Sequence, residues 1–171
     1  MTTAPPKSSW TGLAVVAVLS AGAFAYVFVS SASLPDFAAT HFNVRGEPNA
    51  LASRNSYRAF MAILIIGIPL LIAGLPAVFA RRWPQLLNIP NRAHWMAPER
   101  VEETLSSLRT RTALLAAVTI GLQCFVHRLV LSANAADLPE LEQRTLVVGL
   151  GVFALFLVGW IVSLYRRFRR T

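Results

Sequence analysis

Four long apolar runs divide the chain, and short polar connectors separate them. The first extends from Trp10 to about Val29, with no charge between Lys7 and Asp36. The second, Ala59 to Ala80, is free of charge but interrupted by Gly67-Ile-Pro69 and Gly74-Leu-Pro76. Each proline removes a helical N–H, so a kink packed against a neighbouring helix is expected there. In the third, Val101, Leu105, Leu108, Thr112 and Leu115 recur at helical spacing. That stripe predicts an amphipathic start leading into an apolar stretch from Thr112 to about Leu131. Pro98 suits the beginning of this helix, and Glu99, Glu102 and Glu103 stand where the helix dipole favours negative charge. The fourth run, Thr145 to Tyr165, ends on Arg166-Arg167-Phe168-Arg169-Arg170.

A membrane-crossing helix needs about 20 apolar residues. The first, second and fourth runs reach that length, and the third does so once His127 and Arg128 are counted in. The pattern predicts an all-α membrane protein with four transmembrane helices, over about 10–30, 59–80, 98–131 and 145–165. Residues 1–171 read as a single integral membrane domain, a four-helix bundle after a short disordered lead-in, Met1 to Trp10. A cleaved secretory signal is the competing reading of the first run, since Ser30-Ser31-Ala32-Ser33 is rich in small residues. Its apolar core exceeds the roughly 7–15 residues of a typical signal, which favours a retained helix. Before the second run, Ser53 and Asn55 are suited to capping the helix that follows.

Composition agrees with this architecture. Hydrophobic residues make up 55% and charged residues 14% of the chain, too much apolar surface for a soluble domain of 171 residues to hide. The net charge of +8 does not point to nucleic acid, because the basic residues lie beside the apolar runs and not in a patch with interleaved aromatics. Cys124 is the only cysteine, so no intrachain disulfide can form.

Four spans put both termini on one side. That side holds eleven basic residues (Lys7, six arginines of the second connector and four of the tail), and the other holds Arg45, Arg54, Arg58 and Arg144. The bias predicts cytoplasmic termini, with the connector after the first helix facing outward.

That connector, Leu34 to Asn49, has a particular composition. Pro35 fixes an extended start, and Asn43, Gly46, Pro48 and Asn49 supply turn preferences, so an ordered extracytoplasmic loop is expected. Asp36 and Glu47 are carboxylates, His41 is a titratable ring, and Phe42 is suited to the interface. Leu34-Pro35, His41-Phe42-Asn43, Gly46-Glu47-Pro48-Asn49 and Ser53-Arg54 resemble the N-terminal signature of the SdpI-related family of small bacterial membrane proteins. The connector Asn88 to Arg100 is also similar to a segment found in many members, so the resemblance covers about residues 10 to 105. It implies a bacterial integral membrane protein, and the best-known activity in that family is immunity to a secreted peptide toxin.

Several side chains have two readings each. His41 either contacts a ligand or locks the turn by bonding loop backbone, and the second is favoured because one histidine without a spaced partner is weak evidence of a metal site. His127 sits near the outer end of the third span, where a His41–His127–Glu47 cluster is the alternative to separate roles. Arg128, inside the span but only about five residues from its end, either snorkels to the headgroups or pairs with Asp36, Glu47 or an acid of the Asp137–Glu142 turn. His94 is expected beside Trp95 in the opposite interface.

No phosphate loop, His-Glu-x-x-His, paired cysteine motif or Gly-x-Ser-x-Gly is present, so no catalytic residue, cofactor or metal is assigned. The functional expectation is a non-enzymatic protein that recognises a peptide or protein at its outer face through Pro35, Asp36, His41, Phe42, Asn43, Gly46, Glu47 and Pro48, with His127 and Arg128 nearby. The alternative is an accessory subunit of a larger membrane complex. The partners expected are the lipid bilayer and either a membrane protein or a peptide ligand.

Overall fold

The computed structural model describes residues 11–83 and 86–169. The lead-in Met1 to Trp10, together with Pro84 and Arg170, lies outside the described residues. In chain order, α1 (Thr11–Ser30) runs through a 3-10 turn (Ser31–Ser33) into strands β1 (Phe37–Phe42) and β2 (Pro48–Ser53). Then follow α2 (Arg54–Arg82), a single-turn α3 (Arg92–Trp95), α4 (Val101–Ala133) and α5 (Gln143–Arg169). The helices α1, α2, α4 and α5 are each long and apolar enough to cross a membrane, which makes this a multi-pass membrane protein.

The four spans are those the apolar pattern predicts, but α2 and α5 extend further into polar sequence, and α4 begins at Val101, three residues after Pro98. Helix α2 begins at Arg54, five residues before Ala59, because the Ser53 hydroxyl accepts the Ser56 N–H at 3.1 Å and caps the first turn. Arg54, Asn55, Ser56 and Arg58 therefore lie on a helix that projects beyond its apolar part. At its other end α2 reaches Arg82, and α5 likewise continues to Arg169. Charge ends an apolar run without ending the helix.

Both Pro69 and Pro76 sit inside α2. Pro69 is fully buried, and it leaves the Ile65 carbonyl without its helical N–H. On the neighbouring helix, Gln123 Nε2 donates at 3.0 Å to the Leu64 carbonyl, one residue away. That bond ties α4 to the turn of α2 that precedes the proline.

The core lies between α1, α2 and α4, where Val16, Val27, Met61, Ile65, Ala116 and Ile120 pack together. The predicted stripe at the start of α4 is real: Leu105, Leu108 and Thr112 are buried, and Val101 and Leu115 are half-buried. Helix α5 departs from a symmetric four-helix bundle. It packs on α4 at the edge of the three-helix core, and Phe168 is its one fully buried residue among those described. From Val147 to Val162 its exposed residues are all apolar, including Val147, Leu155, Val158 and Ile161, as a lipid-facing helix requires.

Successive helices alternate in direction, so the hairpin and the α4–α5 connector share one end, and α3 lies at the other. At the α3 end, Trp95 is buried against Phe168 with ring centroids 5.5 Å apart, and its Nε1–H donates to the Phe168 carbonyl at 2.8 Å. Asn91 Nδ2 adds a bond to the Arg169 carbonyl at 2.9 Å, so the connector caps the last turn of α5. His94 stacks edge-on to Trp95 at 5.1 Å, where the sequence places it.

Candidate functional site

The loop expected to be ordered is a β-hairpin. β1 and β2 pair antiparallel, with Ala38 opposite Ala52 and Ala39 opposite Leu51, and an irregular register at His41. The pairing escapes the sequence pattern because neither strand alternates cleanly: Ala38 and Ala39 are both buried, and most of β2 is exposed.

Asn43 builds the turn. Its Oδ1 accepts the N–H of Arg45 at 2.7 Å and of Glu47 at 3.1 Å, and its Nδ2 donates to Glu47 Oε2 at 2.7 Å. The Gly46 N–H donates to the Asn43 carbonyl at 3.0 Å. Gly46 has φ +84°, a left-handed conformation that glycine adopts without strain. It is also buried, because the tip docks on the α4–α5 connector. The Leu141 N–H donates to the Gly46 carbonyl at 2.9 Å, and Gln143 Nε2 donates to the Asn43 carbonyl at 2.8 Å.

Two further residues fasten the hairpin to the helices. At its base, Arg54 Nε donates to the Leu34 carbonyl at 2.8 Å, its Nη2 lies 3.1 Å from Asp36 Oδ1, and its backbone N–H reaches the Asp36 carbonyl at 2.9 Å. At the end of α4, Asn134 bonds both the N–H and the carbonyl of Ala39, at 2.8 and 2.9 Å. Arg54, Asn134, Leu141 and Gln143 lie outside the set of site residues that the sequence predicts. Asn134 and Gln143 are polar side chains flanking two helix ends, which is the one local signal they carry.

Beneath the hairpin sits a buried polar cluster at the junction of α1, α2 and α4. His127 is fully buried, with Nδ1 2.7 Å from Tyr57 Oη and Nε2 2.8 Å from Ser30 Oγ. The Ser30 hydroxyl gives its only proton to the Tyr26 carbonyl at 2.6 Å. Its oxygen must therefore accept from His127 Nε2–H, which leaves Nδ1 to accept the Tyr57 hydroxyl proton. A neutral imidazole protonated at Nε2 satisfies every bond. The ring also stacks on Tyr57 at 5.7 Å and meets Tyr26 edge-on at 5.4 Å. With both nitrogens occupied, His127 ties three helices together directly under the hairpin.

The predicted site residues are thus divided. Asp36, Asn43, Gly46 and Glu47 form the framework of the hairpin, and Phe42 is half-buried beneath it. Pro35, His41 and Pro48 are exposed. His41 bonds Thr40 Oγ1 at 3.2 Å through Nδ1 and does not join His127, so the His41–His127–Glu47 cluster is not formed. Among the described residues no three His, Cys, Asp or Glu side chains converge to hold a metal. Arg128 is exposed, and among the described residues no ion pair joins it to Asp36, Glu47 or the Asp137–Glu142 turn. Its position near the end of α4 fits the snorkelling arrangement.

The turn, hairpin and Tyr57 all fall within a stretch that is recognisable elsewhere. No curated protein and no solved structure matches the chain. Residues 16–67, from α1 through the hairpin into α2, match the family model of a domain of unknown function, DUF1648.

Proposed function

We propose that this chain is a non-enzymatic protein of the bacterial inner membrane that binds a peptide or protein segment at its hairpin face. In this reading both termini are cytoplasmic, as the distribution of arginines favours, and the hairpin projects outward. The resemblance of the Leu34–Arg54 region to the SdpI-related family supports an immunity or sensor role.

One observation carries the proposal: a hairpin clamped at base, strand and tip still presents open binding surface. The backbone groups of Ala39 point away from β2 toward Asn134, so in an antiparallel pair those of its partner Leu51 point to the opposite, open edge. An extended segment can add there as a third strand. Phe37 and Leu51 project from the same face and are 70% and 65% exposed, and Val44 at the tip is 91% exposed. Pre-ordering such a surface removes much of the entropic cost of binding.

The test places a photo-crosslinking amino acid at Leu51, and at Ser163 as a control, in cells of the native host. A defined peptide adduct at Leu51 and not at Ser163 is expected, with His41→Ala and Leu51→Asp abolishing protection or binding while the protein stays folded. Unchanged activity in both folded variants overturns the reading.

The accessory-subunit reading rests on α5, whose exposed apolar circumference and open glycines Gly151 and Gly159 leave room for another helix. Native mass measurement in mild detergent separates the two, because a stoichiometric membrane partner is required by the second alone.

A further inference from the structure

At the end of the molecule opposite the hairpin, α4 and α5 enclose a cleft of about 400 Å³ lined by Arg111, Gly159, Val162, Ser163, Arg166 and Arg167. Three guanidinium groups therefore share one space, and among the described residues no carboxylate lines it. Two are already positioned. Arg111 Nη1 donates to Ser163 Oγ at 2.8 Å, and Arg167 pairs with Glu103 while lying 4.6 Å over the Trp95 ring. Arg166 makes no ion pair among the described residues. Like charges held this close favour an anion between them.

Further along the α4–α5 seam lies an apolar groove of about 500 Å³ lined by Gly121, Leu122, Phe125, Gly149, Val152 and Phe156, among others. The two stretches share one helical stripe. Arg111, Val118, Leu122 and Phe125 follow at steps of seven, four and three residues, and Arg166, Ser163, Gly159, Phe156, Val152 and Gly149 at alternating steps of three and four. From Arg111 to Leu122 the helix rises about 16 Å, roughly half of the ~30 Å hydrocarbon core. Trp160, whose Nε1–H donates to the Arg111 carbonyl at 3.0 Å, marks the level where indoles favour the headgroup region.

We propose that this seam binds an anionic phospholipid, with the phosphate held by Arg111 and Arg166 and one acyl chain laid along the apolar groove. A cationic head aligned on one helical stripe with an apolar trough, together about one leaflet deep, matches the chemistry of such a lipid and of no soluble anion. The inference does not rest on the reading of the hairpin, since it needs only the membrane-spanning arrangement.

The test is native mass spectrometry of the full chain, delipidated in mild detergent and titrated with phosphatidylglycerol or with phosphatidylcholine of the same acyl chains. Phosphatidylglycerol is expected to bind preferentially. Arg166→Gln, a change that breaks no intramolecular ion pair, should weaken it about fivefold, corresponding to ~1 kcal/mol for one arginine at an anionic lipid surface. Gly121→Leu, which fills the groove where nothing lies within 4 Å of an added Cβ, should weaken both lipids while leaving thermal unfolding in lipid-free detergent unchanged. Equal binding of the two lipids, no effect of Arg166→Gln, or full displacement by inorganic phosphate at equal concentration each overturn the proposal.

Discussion

Asn134 acts as a strand partner for Ala39, accepting its N–H at 2.8 Å and donating to its carbonyl at 2.9 Å from one side-chain amide. The same Nδ2 also donates to the Val130 carbonyl at 2.8 Å, so a single residue ends α4 and fixes the hairpin. Ala39 is almost fully buried, and loss of the amide leaves two buried backbone groups unpaired. Asn134→Ala is expected to destabilise by about 1–3 kcal/mol. Hydrogen exchange at the Ala39 amide should rise by at least about fivefold, the rate equivalent of ~1 kcal/mol. Asn134→Asp keeps the acceptor and loses the donors, so it should protect the Ala39 N–H and still destabilise the fold.

Gly46 is constrained twice over. Its φ of +84° disfavours any Cβ, and an added Cβ would collide with the Leu141 carbonyl oxygen. Gly46→Ala should cost about 1–2 kcal/mol from the left-handed backbone alone, and more from separation of the tip from the connector. Gly22→Ala, mid-helix with nothing within 4 Å, is the control and should cost nothing. Thermal unfolding in detergent distinguishes them, and equal midpoints would show that the tip is not docked in solution.

The spans were legible because a membrane demands length and apolarity, and both are written along the chain. The turn was legible at Asn43 and Gly46, where backbone chemistry is local. Other features were not, for physical reasons. The strands of the hairpin are short and unevenly buried, and their pairing depends on Asn134, 95 residues away from Ala39 in sequence. His127 was visible as a polar residue in an apolar run, but its partners Tyr57 and Ser30 lie 70 and 97 residues away, so nothing local distinguished a clamp from a ligand. Arg54 reads in sequence as one more flanking charge, whereas its fork holds two points of the hairpin base.

The His127 cluster makes a separable prediction. Tyr57→Phe removes the proton that Nδ1 accepts, and His127→Phe removes the ring partner of both Tyr57 and Ser30. Cross-helix side-chain bonds in membrane proteins couple by about 0.6 kcal/mol on average and up to about 1.7. The burial of His127 and its stacking on Tyr57 place this pair toward the upper end. A double-mutant cycle by reversible unfolding should return about 1–1.7 kcal/mol, and a value of zero would show that the two side chains do not meet.

Helix α5 offers the sharpest steric test, because it packs chiefly on α4 and Gly149 faces the Phe125 ring across that contact. An added Cβ at Gly149 would strike the Phe125 ring at Cε1 and Cζ. The ring is half-buried and packs toward Leu129, Ala133 and Leu141 under the hairpin end, so it has little freedom to retreat inward. Gly149→Ala should therefore push α5 outward, with a cost of about 1–3 kcal/mol as expected for overpacking. Phe125→Ala alone should cost less than the ~3 kcal/mol of a fully buried phenylalanine, because the half-buried ring leaves only a partial cavity. In the double variant the new methyl group occupies part of that cavity, so the two effects should be less than additive. Disulfide trapping supplies the geometric readout: with Cys124 replaced by Ser, cysteines introduced at Leu122 and Val152 should cross-link less efficiently in Gly149→Ala than in its parent. Full additivity with unchanged trapping would mean that Gly149 and Phe125 are not in contact.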